Sequence, residues 1–141
     1  EKLEKLVKEY GLEDAVKFYG FHPENEIPKY LKDADAALLI LKPNPIFEMT
    51  IPAKLQTYLA CGVPILGCVS GEGKRIIEES RAGIVSDSIS INDLIKVCRQ
   101  FLNLKQFDLN KYKDMAFCYG KDNFNKQYLI TNLEIMMEEL V

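Results

Sequence analysis

The sequence predicts an α/β fold in which a parallel sheet carries helices on both of its faces. Two apolar runs support this prediction: residues 35–42 (DAALLILK) and 63–69 (VPILGCV) are short and continuous. Such runs are typical of strands that are buried on both faces. Helical patterns alternate with these runs along the chain, as expected where crossover helices join parallel strands. The length of 141 residues corresponds to about one domain.

The composition is that of an ordinary globular domain and argues against several classes of function. Hydrophobic residues make up 48% of the chain, and the net charge of -3 offers no basic surface for nucleic acid. No apolar run approaches the roughly 20 residues of a transmembrane helix, so we expect no transmembrane segment. The four cysteines lie apart and the sole histidine is His22. We therefore expect reduced thiols, no metal site and no cofactor.

The first part of the chain predicts a helix, a strand and a second helix before the first apolar run. Apolar residues at helical spacing predict a helix over residues 1–10. Residues 15–20 (AVKFYG) predict a short strand that ends at Gly20, and residues 25–34 predict a helix with Asn25 near its N-cap. The chain opens inside a helical pattern without a start methionine, so we interpret it as a fragment of a longer protein.

Between the two apolar runs, the sequence predicts a loop over residues 43–50 and then a short helix. Pro52 is tolerated in the first turn of this helix, and Gly62 suits the left-handed position that ends it. The helix has two faces. The face predicted to enter the core carries Ile51, Leu55 and Leu59. The face predicted to meet water or a ligand carries Thr50, Lys54, Thr57 and Cys61.

The rest of the chain predicts one more strand and four helices. The segment SGEG (70–73) turns into a helix, and residues 82–86 (AGIVS) form a short strand. Ser90 and Asp93 resemble a capping box that opens the next helix. The predicted apolar face of that helix comprises Ile91, Leu94, Ile95, Cys98, Phe101 and Leu102. Two amphipathic helices follow, with a break at Gly120.

One rim of the predicted sheet has features that suit an anion. Ligands of such sheets bind at the carboxyl ends of the strands, which here lead into the loops 20–24, 42–51 and 69–73. The second loop feeds the helix at Pro52, whose first N–H groups lack internal partners and attract anions together with the helix dipole. Lys54 adds a cation there. SGEGK repeats the arrangement without forming a P-loop. Each helix end either binds phosphate or meets only water.

Three segments, in this order, resemble the C-terminal, donor-binding domain of GT-B glycosyltransferases: VKFYGFHPENEIPKYLKDADAALLIL, PAKLQTYLACGVPILG and GEGKRIIEESRAGIV. The chain looks most like family-4 retaining enzymes of bacterial capsule, O-antigen and exopolysaccharide synthesis. The resemblance implies a Rossmann-like half of a GT-B enzyme over residues 1–141, with its first strand and its N-terminal acceptor domain absent. It also implies a cytoplasmic protein, either free or peripheral at the inner face of the membrane when full-length.

The resemblance further implies a site for a nucleotide-sugar donor, which we expect to be a UDP- or GDP-sugar. In the family, the donor diphosphate lies against the helix start that corresponds here to residues 49–54. The base packs near the loop after the strand that ends at Gly20, where Phe21 offers a stacking face. The predicted donor-binding residues are Gly20, Phe21, Glu48, Met49, Thr50, Ile51, Lys54 and Thr57.

The sequence departs from the family at one motif. Many members carry two glutamates separated by seven residues, and the second glutamate holds the nucleotide ribose. Here that second position is Thr57 and the first is Met49, with Glu48 one residue away. Ribose recognition by a carboxylate therefore does not carry over, and Glu48 is a candidate sugar contact. Thr57 binds either a ribose hydroxyl or its own helix backbone at i−4. No catalytic residue is assigned.

By the resemblance, the full-length protein transfers a sugar from the donor to a lipid-linked or saccharide acceptor, with its own N-terminal domain as partner. Two alternatives stay open: a non-catalytic nucleotide- or phosphate-binding α/β module, and a sugar-nucleotide epimerase of GT-B fold. His22 either lines the base pocket or is merely exposed. The family's terminal helix crosses to the partner domain, so we expect part of its apolar face to be exposed here.

Overall fold

Three short parallel strands and the helices between them organise the chain. The structure is a computed structural model that describes residues 2–86 and 88–140. In chain order its elements are α1 (Lys2–Glu9), a 3₁₀ turn (Glu24–Glu26), α2 (Ile27–Lys32), β1 (Ala37–Ile40), α3 (Pro45–Glu48), α4 (Ala53–Ala60), β2 (Ile65–Cys68), α5 (Gly71–Ser80), β3 (Gly83–Ser86), α6 (Ile91–Leu102), α7 (Gln106–Asn123) and α8 (Lys126–Glu138).

The sheet has the order β1-β2-β3, and both pairings are parallel. Ala37 lies opposite Ile65, and Ile65 lies opposite Gly83. Every residue of the central strand β2 is buried, as the second apolar run predicts. The parallel α/β fold is therefore confirmed.

Strand β1 is buried on one face only, so the prediction that the run 35–42 is buried on both faces is wrong. Leu39 is buried, whereas Leu38 and Ile40 are 52% and 46% exposed. Leu39 packs in one cluster with Leu55 of α4. The opposite face of β1 is open to solvent, so the hydrophobicity of Leu38 and Ile40 is not matched by burial.

Two hydrophobic clusters place helices on both faces of the sheet. The larger cluster unites residues of α4, α5 and α7 with the sheet: Leu39, Leu55, Leu59, Ile65, Val69, Ile76, Ile77, Ala82 and Ala116. The smaller cluster joins Leu66 of β2 to Val97 and Phe101 of α6. The two-sided cover that the alternation of strands and helices predicts is thus confirmed.

The predicted strand over residues 15–20 does not form, and this prediction is wrong. Residues 16–20 have no regular structure, and Val16, Phe18 and Tyr19 are exposed. A strand is stable only when a neighbour satisfies its backbone N–H and C=O groups. The three-stranded sheet provides no such neighbour to this segment. Helix α1 forms as predicted, but none of its described residues is buried.

Two segments on either side of the first strand differ in detail from the prediction. Asn25 lies near the N-cap of α2 as predicted, next to the N-cap residue Glu26, but it belongs to a 3₁₀ turn and no side chain caps the helix. The predicted loop 43–50 contains the short helix α3, because Asn44 caps it by accepting a hydrogen bond of 2.9 Å from the amide of Ile46. Pro45 occupies the first helical position, where proline is favoured.

Helix α6 begins as predicted and buries part of its predicted apolar face. Ser90 accepts a hydrogen bond of 3.1 Å from the amide of Asp93 and donates its hydroxyl to the Asp93 carboxylate. These contacts hold the pKa of Asp93 well below its usual range, with the Ser90 hydroxyl as the main cause. Phe101 is buried as predicted, and Cys98 packs against the same cluster. Val97 is buried although the sequence pattern does not predict it, and the predicted core residues Ile91, Ile95 and Leu102 are exposed.

Gly120 lies within α7 and does not break the helix, contrary to prediction. A Cβ at Gly120 would lie 2.8 Å from the carbonyl carbon of Leu59. The glycine is therefore a point of close contact between α7 and α4. The chain leaves the helix at Phe124 and Asn125, and Asn125 caps α8 by accepting from the amide of Tyr128.

Helix α8 is amphipathic in sequence, but no described residue in it is buried. Leu129, Leu133, Met136 and Met137 are all exposed, in keeping with the expectation that part of this face is uncovered. Within residues 2–86 and 88–140, no helix is both long enough and apolar enough to cross a membrane.

Candidate functional site

The carboxyl ends of the strands form a rim at which two helices begin. After β1 the chain passes through α3 into the amino end of α4, and after β2 it passes through Ser70 into α5. This edge of a parallel α/β sheet is where ligands of such folds bind. The structure therefore brings together two of the three loops that the sequence analysis places on the rim.

The amino end of α4 is open to a ligand. Pro52 is the N-cap residue, one position before the first helical turn in which the sequence analysis places it, and no side chain caps the helix. The first hydrogen bond of the helix runs from the amide of Leu55 to the Pro52 carbonyl, at 2.9 Å. The amides of Ala53 and Lys54 precede this bond and have no side-chain partner. Lys54 is exposed and forms no ion pair with a described residue.

The carboxyl end of α4 turns at once into β2. Gly62 has φ of 64°, the left-handed conformation expected of a helix-ending glycine. The amide of Val63 donates to the carbonyl of Tyr58, and the amide of Gly62 donates to that of Leu59, each at 3.0 Å. This pair of hydrogen bonds is a Schellman motif, and it confirms the helix end that the sequence predicts.

The division of α4 into two faces is confirmed with one exception. Leu55 and Leu59 are fully buried in the larger cluster. Ile51 is 38% exposed, so its assignment to the core is wrong. It precedes Pro52 and lies outside the helix, and helical spacing therefore does not determine its direction. This position leaves Ile51 on the rim, where the resemblance also places it as a donor contact.

Glu48 is the last residue of α3, and it links the segment that leads into α4 to the start of α5. Its Oε1 accepts a hydrogen bond of 2.8 Å from the Ser70 hydroxyl, and Glu48 itself is partly buried. Gly71 follows with φ of 64°, and a Cβ there would lie 2.2 Å from the Glu48 carbonyl oxygen. A Cβ at Gly73 would lie 3.5 Å from the ring of Pro52. Each glycine of SGEGK thus packs against the segment that leads into α4.

The basic residue of SGEGK is engaged within its own helix. Lys74 forms an ion pair of 3.9 Å with Glu78, one turn further along α5. Arg75, its neighbour, binds Glu72 at 2.9 Å and also pairs with Glu79. The cations of α5 are therefore paired with carboxylates of the same helix, in contrast to Lys54.

The remaining candidates near α4 make local backbone contacts. Met49 ends α3 with its side chain 74% exposed. The Thr50 hydroxyl donates to the carbonyl of Phe47 at 3.2 Å, and the Thr57 hydroxyl donates to that of Ala53 at 3.3 Å. The sequence predicts that Thr57 binds either a ribose hydroxyl or its own helix backbone, and the structure has the backbone contact. Its oxygen can still accept a hydrogen bond, so a ribose contact stays a prediction.

The candidate base-binding loop is separate from these residues. Phe21 is 95% exposed and therefore touches almost nothing else in the protein. Gly20, at φ of 75°, has no atom within 4 Å of the position a Cβ would take. His22 is not merely exposed: its Nε2 lies 2.8 Å from the carbonyl of Tyr19 and its Nδ1 lies 3.2 Å from Glu26. His22 thus fixes the shape of this loop.

Two residues of the rim are missed by sequence reasoning. Ser70 and Asn44 both hold α3, and only Asn44 has a local signal, the Asn-Pro pair typical of a helix start. Ser70 belongs to a glycine-rich segment that suggests a phosphate loop, whereas its partner is 22 residues away. No spacing pattern reveals such a contact.

A cavity of about 420 Å³ lies at the amino end of β3, opposite the rim, and is not part of this site. It opens beside Gly83, the first residue of β3, and includes Arg81 and Glu78. Ligands of parallel α/β sheets bind at the carboxyl ends of the strands, so the rim is the better candidate.

Comparison with known proteins identifies the family. Residues 1–116 match the family described as glycosyl transferases group 1. The chain belongs to this family. The putative colanic acid biosynthesis glycosyltransferase WcaL of Escherichia coli K12 is 26% identical over 140 residues, which are 99% of this chain and 34% of that protein. WcaL of Salmonella typhimurium is 24% identical with the same coverage.

A third relative of this group 1 glycosyltransferase domain is the amylovoran biosynthesis glycosyltransferase AmsK of Erwinia amylovora. It is 32% identical over 83 residues, or 58% of this chain and 20% of that protein. The chain spans about one third of the length of the two WcaL proteins. No solved structure matches the chain significantly. The group 1 family has the GT-B fold, to which the parallel Rossmann-like sheet belongs.

Proposed function

We propose that this domain binds the nucleotide-sugar donor of a glycosyltransferase, with the donor diphosphate at the amino end of α4. In the full-length enzyme, residues 1–141 belong to the C-terminal, donor-binding domain, and an N-terminal domain supplies the acceptor site and catalytic groups. The acceptor is either lipid-linked or a saccharide. The WcaL and AmsK names, which refer to colanic acid and amylovoran biosynthesis, favour a role in exopolysaccharide assembly. We further propose a cytoplasmic location, free or peripheral at the inner membrane face.

The open amino end of α4 carries this proposal. Its first amides have no side-chain cap, its dipole favours negative charge, and Lys54 stands exposed in the same turn. A nucleoside diphosphate has the charge and the acceptor oxygens that such an end binds. Family membership supports a donor of this class, because glycosyltransferases of the family use nucleotide-sugars.

An NMR titration tests the proposed site. We expect UDP or GDP to bind the chain with a Kd on the order of a millimolar, which corresponds to roughly −4 kcal/mol. The amides of Thr50, Ile51, Ala53 and Lys54 should shift on titration. Uridine and guanosine, which lack the diphosphate, serve as matched controls and should leave these amides nearly unmoved. Shifts confined to Gly11 or Ala82, away from this rim, would overturn the proposal.

A further inference from the structure

Ser70 occupies the N-cap position of α5 but does not cap it. Serine is among the strongest N-cap residues, because its hydroxyl oxygen accepts an amide hydrogen bond from the first turn. Ser90 does this at α6, where it accepts from the amide of Asp93. The Ser70 hydroxyl instead donates to Glu48 at 2.8 Å. This bond ties the start of α5 to α3.

The backbone reinforces this contact. Gly71 lies so close to α3 that a Cβ would be 2.5 Å from the Cα of Glu48. Two residues further along α5, a Cβ at Gly73 would lie 3.5 Å from the ring of Pro52. Three residues separate Glu48 from Pro52, the N-cap of α4. A displacement of Glu48 is thus transmitted over a very short segment to the helix end that the donor would meet.

We propose that Glu48 is a positioning residue: by holding the Ser70 hydroxyl, its carboxylate fixes α3 against α5 and so sets the direction of the amino end of α4. This role rests on the proposed donor-binding function. It differs from a direct sugar contact, because Glu48 acts through Ser70 and needs no bond to the ligand.

Binding measurements on matched variants separate the indirect role from a direct one. We expect Glu48→Ala and Ser70→Ala each to raise the Kd for UDP by about three- to tenfold, the effect of one lost hydrogen bond. The double variant should be no weaker than the weaker single variant, because both changes remove the same contact. Glu48→Gln and Ser70→Thr keep an acceptor and a donor and should restore most of the affinity. Glu13→Ala, in an exposed loop, serves as the control.

A second readout needs no ligand. Ser70→Ala lies outside α3 and α4, but it releases Glu48, so the amides of Ile46 and Phe47 in α3 and of Ala53 and Lys54 in α4 should shift relative to the unaltered chain. Glu48→Ala should shift the same amides in the same direction, because it breaks the same contact. Unmoved α3 and α4 amides in Ser70→Ala would overturn the proposal, whatever the chain does with nucleotide.

The two proposals fail in different ways. If Glu48→Ala weakens UDP binding but Ser70→Ala does not, Glu48 contacts the ligand directly; the positioning role is then overturned, while donor binding stands. If the unaltered chain shows no shift at residues 50–54 with UDP or GDP, donor binding by this chain is overturned. The ligand-free amide shifts then decide by themselves whether Glu48 organises the rim.

Discussion

Lys54 and Leu55 are adjacent in sequence but lie on opposite faces of α4. Leu55 is fully buried against Leu39 and Ile65, so Leu55→Ala should lower the free energy of unfolding by about 2–5 kcal/mol through the cavity it leaves. Lys54 is exposed, so Lys54→Ala should change the free energy of unfolding by about 0.5 kcal/mol or less. Urea denaturation of both variants under the same conditions measures the difference.

The same pair of variants also tests the binding face of α4. Lys54→Ala should weaken UDP binding in the titration, because an exposed cation beside the helix end is lost, and Lys54→Arg, which keeps the charge, should bind nearly as well as the unaltered chain. The reverse pattern, with Lys54→Ala unfolded and Leu55→Ala tolerated, would show that the two faces have been assigned backwards.

At the scale of elements, the contact between α3 and α5 predicts a large difference between two glycines of the same conformation. Gly71 and Gly11 have φ of 64° and 63°, so alanine at either position meets a left-handed penalty of about 1–2 kcal/mol. At Gly11 the added Cβ meets nothing within 4 Å, whereas at Gly71 it would lie 2.2 Å from the Glu48 carbonyl oxygen. Gly71→Ala must therefore displace α3 as well.

Gly71→Ala should accordingly be less stable than Gly11→Ala in urea denaturation, and it should shift the amides of Ile46, Phe47 and Glu48. Gly11→Ala is the matched control, since it carries the same backbone strain without the collision. Equal losses of stability, with α3 amides unmoved in Gly71→Ala, would mean that α3 does not rest on α5.

Helix ends and helix contacts differ in how far the sequence predicts them. Gly62 and Gly120 are both glycines near apolar helical patterns, yet Gly62 ends α4 and Gly120 lies inside α7. Pro64 follows Gly62 closely and excludes a continued helix, so the local sequence is sufficient there. At Gly120 the deciding fact is the nearby backbone of Leu59, which belongs to another helix. A tertiary contact of this kind leaves no periodic signal.

For the whole molecule, the sequence predicts the central sheet because its strands are short, apolar and separated by helical patterns. The prediction fails where burial depends on a neighbour. Residues 15–20 have the composition of a strand but no strand beside them, and the face of β1 that carries Leu38 and Ile40 is uncovered. Composition indicates what a segment can bury, and only the neighbouring elements determine whether it does.

In the candidate site too, local features follow from the sequence, whereas contacts between distant residues do not. The two ends of α4 follow from Pro52 and Gly62, which are local signals, and the structure has the helix between them. The α3 helix and the bond between Glu48 and Ser70 bring together residues 22 positions apart, and the sequence analysis assigns Glu48 only a sugar contact. Which of these residues touch the donor stays a prediction, for Phe21 and Thr57 as well as for Met49.

The rim as a whole is open, and this predicts that the chain binds donor without transferring its sugar. Phe21 and Met49, two of the predicted donor contacts, are 95% and 74% exposed, so the described residues leave these positions open to water. Transfer requires an acceptor and catalytic groups held against the donor, which contributes a large part of an enzyme's rate.

We therefore expect the purified chain, mixed with UDP- or GDP-sugars and saccharide acceptors, to release no sugar above the uncatalysed rate, even when NMR shows the donor bound at residues 50–54. The measurement is chromatographic detection of free nucleoside diphosphate, with the Lys54→Ala variant as a control for contaminating activity. Contaminating hydrolysis would be equal in both preparations. Release at enzyme-like rates that Lys54→Ala abolishes would show instead that residues 1–141 suffice for catalysis.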